Sequence, residues 1–512
     1  MKKNKNKMCA WLITMALGLA IVGCSNNKTT NTTQTTVQQS ETTAADTSSS
    51  TTKGAYSDED LNTSYSDSDT KIELSNGSAD ITGDGATFEN GNIKITKAGT
   101  YVLSGEFDGQ IITEVGDEDV VHLVFNGVNI TNTTSSAINA ATGKKVVITL
   151  VDGTTNTLSD GTSYEYADGE DEPDATLFVK NNLTINGTGS LNIDSNYATA
   201  IKAKDNLIIL DSKINIDSVG KAIKGKDSVT VENANITINA EDDGITTDGA
   251  MVINSGNINI EKAGEGLEGV TIDINGGNID IVATDDGINA RDLIDDSATD
   301  AEKEAYGEEN QADTYLRITG GVVNVNASAD GIDSNGQVYI DGGTVYVSGA
   351  TSGPDVALDY NGKAVITGGT FVSTGVQEMA QTFDSSSTQN FITVYYDSAV
   401  AAGSEIKVTD KDGNTVLSYN ADKEFTFAVI SSDKLSTGET YTVTAGDNSN
   451  EVTITAGGNT IGESSVAGPG GNGGPGGNPP TGEPPQKPTD ANGNEIEMQG
   501  PPNGESSQTE NN

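Results

Sequence analysis

Acidic residues recur in this chain at one place in a repeating frame. Asp242 and Asp243, Glu265, Asp285 and Asp286, and Asp330 each lie one or two residues before a Gly-Ile or Gly-Leu step. If the frame stacks, these carboxylates line one edge, where they repel one another and raise one another's pKa unless a cation lies between them. Oxygen-only donors at flexible spacing suit Ca2+ better than a transition metal. The predicted chemistry is calcium binding along this edge, with a solvated acidic corner as the alternative. A second acidic run, Asp168, Glu170, Asp171 and Glu172, could close a cation site of its own or form a solvated loop. Asp292, Asp295 and Asp296 would reach the main column if the segment around them folds back.

Lysines follow the aliphatic step in earlier repeats: Lys202 and Lys204, then Lys224 and Lys226. Stacked, they could grip an anionic sugar, or simply balance charge on an outer strand face. Tyr339 and Tyr346 are candidates for a sugar platform. His122 is the only histidine, which excludes a histidine-based zinc site and a Ser-His-Asp triad. The only tryptophan, Trp11, falls in an N-terminal targeting segment.

The element that must position these residues is an internal repeat. A small residue followed by Ile or Leu recurs at Ala200-Ile201, Ala222-Ile223, Gly244-Ile245, Gly266-Leu267 and Gly287-Ile288, at spacings of 22, 22, 22 and 21, and returns 44 residues later at Gly331-Ile332. Gly256, Gly277, Gly321, Gly343 and Gly369 keep the same beat. Short runs of Ile, Val and Thr alternate with Asn, Asp, Ser and Lys, without helical periodicity. A repeat of about 22 residues with two or three strands fits one coil of a parallel β-helix. The expected fold is all-β: a right-handed parallel β-helix followed by a small C-terminal antiparallel β-sandwich-like domain. Ile201, Ile223, Ile245, Leu267, Ile288 and Ile332 should form an inner ladder, with glycines at the corners where φ is often positive.

The expected boundaries follow composition. Residues 1–23 read as a lipoprotein signal: Lys2, Lys3, Lys5 and Lys7, an apolar stretch from Met8 to Val22, then Gly23 before Cys24. Cys24 is the expected lipidation site, which implies a lipid-anchored, extracytoplasmic cell-surface protein. Residues 24–68 form a Ser/Thr-rich stalk, 69–384 the β-helix, 385–462 the small β domain and 463–512 a Gly/Pro-rich tail, the last holding nine of the eleven prolines. Two long loops, 152–174 and 290–314, interrupt the helix, the second with a short helix around 301–306. Net charge is −47, and about −51 once the signal is removed, which disfavours nucleic acid and anionic lipid as partners. The protein should be monomeric and touch the membrane only through its N-terminal lipid.

Several segments carry a resemblance. Thr96 to Gly105, Phe125 to Ile130, Asp152 to Leu158, Gly169 to Pro173, Leu183 to Gly187, Ile223 to Asp227 and the Asp-Asp-Gly-Ile steps at 242–245 and 285–288 resemble the bacterial carbohydrate-binding β-helix family. The resemblance spans roughly 70 to 460. It implies a fold similar to calcium-dependent pectate lyases, bound calcium, and binding of cellulose-like or acidic polysaccharide without established catalysis. Where that family often carries an acidic pair before the step, this chain has Gly220-Lys221 and Thr199, which points to the later coils for cations. The expected function is non-catalytic, calcium-assisted polysaccharide binding. A structural adhesin or spacer is one alternative. A calcium-dependent lyase with Lys224 or Lys226 as base is the other.

Overall fold

The computed structural model describes residues 56–292 and 310–465, and every regular element in them is a β-strand. The strands come in threes. Thr199–Ala203, Asn206–Leu210 and Lys213–Ser218 are followed by Ile223–Gly225, Ser228–Glu232 and Ala234–Ala240, and each strand pairs in parallel with the strand three later. The chain therefore winds as a β-helix-like solenoid with three parallel stacks per coil. They are called here the first stack (as in Ile223–Gly225), the second (Ser228–Glu232) and the third (Ala234–Ala240).

Alternation along each strand sends one residue in two inward. Ile201, Ile223, Ile245, Leu267, Ile288 and Ile332 are successive partners in the first stack and are wholly buried. Leu207, Val229, Met251, Ile272 and Leu316 do the same in the second, and Ile214, Ile236, Ile258, Ile279 and Val323 in the third. These ladders belong to one continuous core. The beat glycines sit at the corner between the second and third stacks. Gly256, Gly277, Gly321, Gly343 and Gly369 all have positive φ, from 79° to 113°, a region open to glycine at no steric cost.

Three boundaries differ from expectation. The loop expected over 152–174 contains a strand, Thr155–Ser159, which takes the third-stack place in its coil, with Leu158 paired to Ile130 and Ile193. Its hydrophobic signal is weak because one inward position is Asn156. That side chain is wholly buried and accepts hydrogen bonds from the backbone of Gly127 and Val128, each at 3.0 Å. The expected border at 385 also crosses a continuous sheet. Phe391–Val400 pairs antiparallel with Phe425–Ser432, which pairs antiparallel with Thr370–Gly375 at the end of the third stack. A four-stranded antiparallel sheet, Glu405–Asp410, Thr415–Asn420, Thr440–Ala445 and Asn448–Thr453, shares a second core with them. The helix expected around 301–306, and Asp295 and Asp296, lie outside the described residues, as do Cys24 and most of the expected stalk and tail.

The third difference is at the N-terminal side. The expected stalk ran to 68, yet Tyr56 to Asp69 forms a strap against the second stack. The Tyr56 hydroxyl donates to Glu232 Oε2 at 2.6 Å. Asp60, 2 % exposed, pairs with Lys145 at 2.6 Å, accepts from Thr184 and Ser57, and offers its carbonyl to Asn186 Nδ2 at 2.9 Å. Burial pushes the Asp60 carboxyl up, but Lys145, Ser57 and Thr184 outweigh it and hold the pKa below the usual carboxylate range. Hydrophobicity could not reveal this strap because its anchors are polar. Asp60→Ala leaves the half-buried Lys145 without its carboxylate and removes the bonds from Ser57 and Thr184, a loss of roughly 1.5–3 kcal/mol. The loss should fall on attachment of the strap: limited proteolysis should cut within 56–69 while the solenoid stays resistant. Because the Asp60 pKa is depressed, wild-type attachment should hold above the unfolded carboxylate pKa and weaken as pH falls through the lower folded value. Equal protease resistance of the strap in both proteins at neutral pH would contradict this.

Candidate functional site

The acidic positions predicted from spacing do stack. Asp243, Glu265, Asp286 and Asp330 occupy equivalent corner positions, each lending its backbone carbonyl to the coil before it: Ala222 N, Gly244 N, Gly266 N and Gly287 N donate to them at 2.9–3.0 Å. Their side chains reach the other way. Asp243 Oδ1 accepts from Glu265 N at 3.1 Å, Asp286 Oδ1 from Asp330 N at 2.9 Å, and Asp330 Oδ1 from Val356 N at 2.5 Å. A carboxylate here thus stitches its coil to the next, a structural role beside any chemical one. Asp242 and Asp285 stay exposed.

A second column runs beside the corner. Lys202, Lys224, Thr246, Glu268, Asn289 and Asp333 are successive partners on the outer side of the first stack. Of the four lysines expected as a basic column, Lys202 and Lys224 share one column with the later acids, basic in the early coils and acidic in the late ones, while Lys204 and Lys226 lie just past the strands. Spacing alone could have located Glu268, Asn289 and Asp333, since they follow the aliphatic step by one residue as Lys202 and Lys224 do.

Cations neutralise the early and middle part. Lys202 pairs with Asp174 at 2.5 Å, Lys204 with Glu172, and Lys224 with Asp248 at 2.9 Å, while Lys226 is exposed. The 168–172 acids thus sit by the early lysines, with Asp168, Glu170 and Asp171 facing solvent. Lys221 bonds Asp243 and lies 3.8 Å from Glu268. Arg291 bonds Glu268 at 2.6 Å and lies 3.4 Å from Glu265.

Past Arg291 the compensation thins. Burial, then Glu268, pushes Glu265 up to about 8 despite Arg291. Burial raises Asp286 to about 6 against the bond from Asp330 N. Burial, with Asp286, Asp359 and Asp355 adding, raises Asp330 to about 7 against the bond from Val356 N. Burial and the surrounding Asp286, Asp359, Asp330 and Glu265 raise Asp333 to about 8. Three buried oxygens in the two columns lack partners: Glu265 Oε2, Asn289 Oδ1 and Thr246 Oγ1. An unpartnered buried oxygen costs roughly 1–3 kcal/mol. Oxygen donors of this kind fit a hard cation such as Ca2+. No group of three or more His, Cys, Asp or Glu is already gathered to hold a metal among the described residues, so binding would draw the late carboxylates together.

The tyrosines separate. Tyr339 points out from the second stack, near Tyr315 at 6.4 Å and Arg317 at 5.7 Å. Tyr346 points out from the third stack and stacks on Tyr419 with centroids 4.7 Å apart. They do not form one platform.

Comparison with known proteins gives three likenesses. A family model described as carbohydrate-binding domain-containing protein matches residues 89–355. A protein of that description from Acetivibrio thermocellus is 38 % identical over 135 residues, 26 % of this chain and 47 % of that protein, so the match spans about half its length. A solved structure of a polysaccharide lyase-like protein from C. thermocellum, a gadolinium derivative, is 29 % identical, covering 58 % of this chain and 97 % of that one with a TM-score of 0.36.

Proposed function

Since the chain belongs to the carbohydrate-binding domain-containing family, we propose that its solenoid is a non-catalytic, calcium-assisted binder of extracellular polysaccharide, cellulose-like or acidic, carried on a surface protein lipidated at Cys24. The observation that supports the calcium reading is the late acidic edge with its unpartnered oxygens. Asp286, Asp330 and Asp333, with Asn289 Oδ1, would hold the ion. A calcium ion there would relieve the repulsion among these carboxylates and would supply positive charge to a sugar carboxylate or hydroxyl. The protein's own part is to stack the donors and to keep Lys221 and Arg291 on the neighbouring acids.

Lys224 and Lys226, the candidate lyase bases, lie in earlier coils than the late acidic edge, and Lys226 is exposed. Lys224 is committed to Asp248. The cations beside the acidic edge are held protonated: burial lowers the pKa of Lys221 and of Arg291, but their carboxylate partners outweigh it and leave both raised. Neither is poised to take a proton at neutral pH.

The deciding measurement is co-sedimentation with polygalacturonate and with insoluble cellulose, each with calcium or with EDTA. Retention on polygalacturonate in calcium, falling at least tenfold in EDTA, is the expected result. Retention on polygalacturonate indifferent to chelator would remove calcium from the function. No retention on either polymer would leave the surface-spacer reading.

A further inference from the structure

The third stack and the C-terminal four-stranded sheet enclose an open cleft of about 340 Å³ that the acidic edge does not use. One wall is solenoid, with Asp280, Val282, Asn324 and Tyr346. The other comes from the C-terminal sheet and the turn after it, with Tyr419 and Asp422. Tyr419 and Asp422 lie beyond the 89–355 family match.

The wall chemistry is specific. The Tyr346 and Tyr419 rings lie 16° from parallel, and the Tyr419 hydroxyl is placed by Ser348 at 3.1 Å and Asp422 at 3.4 Å. Val282 is an exposed apolar side chain at 47 %. Asp280 accepts from Asn324 Nδ2 at 2.7 Å, and similar side-chain rungs, Asn192–Asn215 and Asp217–Asn239, lie on the same face in earlier coils. The stacked tyrosine pair and an aliphatic patch offer apolar surface to the C–H groups of a sugar ring, while carboxylates and amides match its hydroxyls. The charge selects among sugars. Among the described residues, Asp280 and Asp422 are the only charged ones lining the cleft, and the adjacent Lys423 turns its ammonium away to the carbonyls of Ala327 and Gly349. Two carboxylates without a cation disfavour a uronate and accept hydroxyl donors.

We propose that this cleft is a second saccharide site, selective for a neutral oligosaccharide segment and independent of calcium. It rests on the carbohydrate-binding reading above but not on the acidic edge. The test is calorimetric titration of the protein with cellohexaose and with hexagalacturonate in EDTA. Cellohexaose should bind and hexagalacturonate should not. Tyr346→Ala and Val282→Arg should each weaken cellohexaose at least tenfold. Val282→Arg blocks the cleft from an exposed position and so separates site loss from misfolding, which circular dichroism monitors in both variants. Calcium-dependent retention on polygalacturonate should stay unchanged in Val282→Arg. Absence of cellohexaose binding, or binding that survives Val282→Arg, overturns the proposal whatever the polygalacturonate result. Loss of calcium-dependent retention alone strikes the acidic edge and leaves this cleft standing.

Discussion

The double variant Asp330→Asn, Asp333→Asn should be more stable than wild type in EDTA at pH 8, equal to it near pH 4, and indifferent to calcium. Both carboxyls are raised in the folded protein, to about 7 and about 8, chiefly by burial and then by one another and their acidic neighbours. An unfolded aspartate titrates near 3.9. The folded state therefore holds more protons between about pH 4 and pH 8. The slope of stability with pH is then negative, so metal-free wild type should lose stability as pH rises through that window and level off above it. Asparagine keeps much of the shape and removes the charge, so the variant should lack this part of the decline. The gain at pH 8 should be about 2 kcal/mol or more. On the calcium reading proposed above, calcium should reverse the ranking, because it would stabilise a site that only wild type retains. The readout is denaturant unfolding at several pH values, with calcium or EDTA. A wild type whose metal-free stability is flat from pH 4 to pH 8, or a variant that calcium still stabilises, would contradict the assignment. Proton release on adding calcium at pH 7, measured in weakly buffered solution, is the companion observation.

The second large effect concerns a glycine. Gly287→Ala should destabilise the late coils by roughly 1–3 kcal/mol, and Gly287→Val by more. Room is the reason. A Cβ at 287 would collide with Val325 Cγ1 and stand 2.5 Å from the Gly331 carbonyl oxygen. The same corner recurs: a Cβ at Gly244 would stand 2.5 Å from Gly266 O, and one at Gly331 would stand 2.6 Å from Ala357 O. Coils approach here through backbone, with Gly287 N donating to Asp330 O at 2.9 Å. Ala200 and Ala222 fill the corresponding places in earlier coils, so the restriction tightens along the solenoid. Hydrogen exchange should show the loss concentrated around 263–290 and 327–334, and Ala222→Gly should lack any comparable gain. Uniform exchange across the solenoid in Gly287→Ala would argue against a corner clash.

Much of this architecture was legible before any coordinates. The Gly-Ile step is periodic because one buried aliphatic per coil must sit over the last, and the beat glycines because their corner has positive φ. Asp243, Glu265, Asp286 and Asp330 could be aligned by counting from that step. What escaped was polar. Asn156 replaces a core aliphatic by satisfying backbone donors, and Asp60 anchors the strap through a buried ion pair; neither leaves a hydrophobic trace. Arg291 and Lys221 could be seen but not paired, since their partners lie about one coil away on a neighbouring face. Tyr346 was visible, whereas Tyr419 comes from a segment outside the repeat, and no period links the two.

The closure of the solenoid's C-terminal end bears on how copies of the chain meet. A stack of parallel strands stops with a row of unpaired amides and carbonyls, a surface on which another molecule can add and continue the stack into a filament. Here Phe425–Ser432 takes up Thr370–Gly375 in antiparallel register. The 384–389 turn covers the second stack, with Asp384 N donating to Ala364 O at 2.7 Å and Ser387 Oγ accepting from Ile366 N at 3.1 Å. The third-stack sheet ends at Gly458–Ile461, four residues long. Reversing strand direction and shortening the final edge leaves an incoming solenoid little of these two stacks to extend.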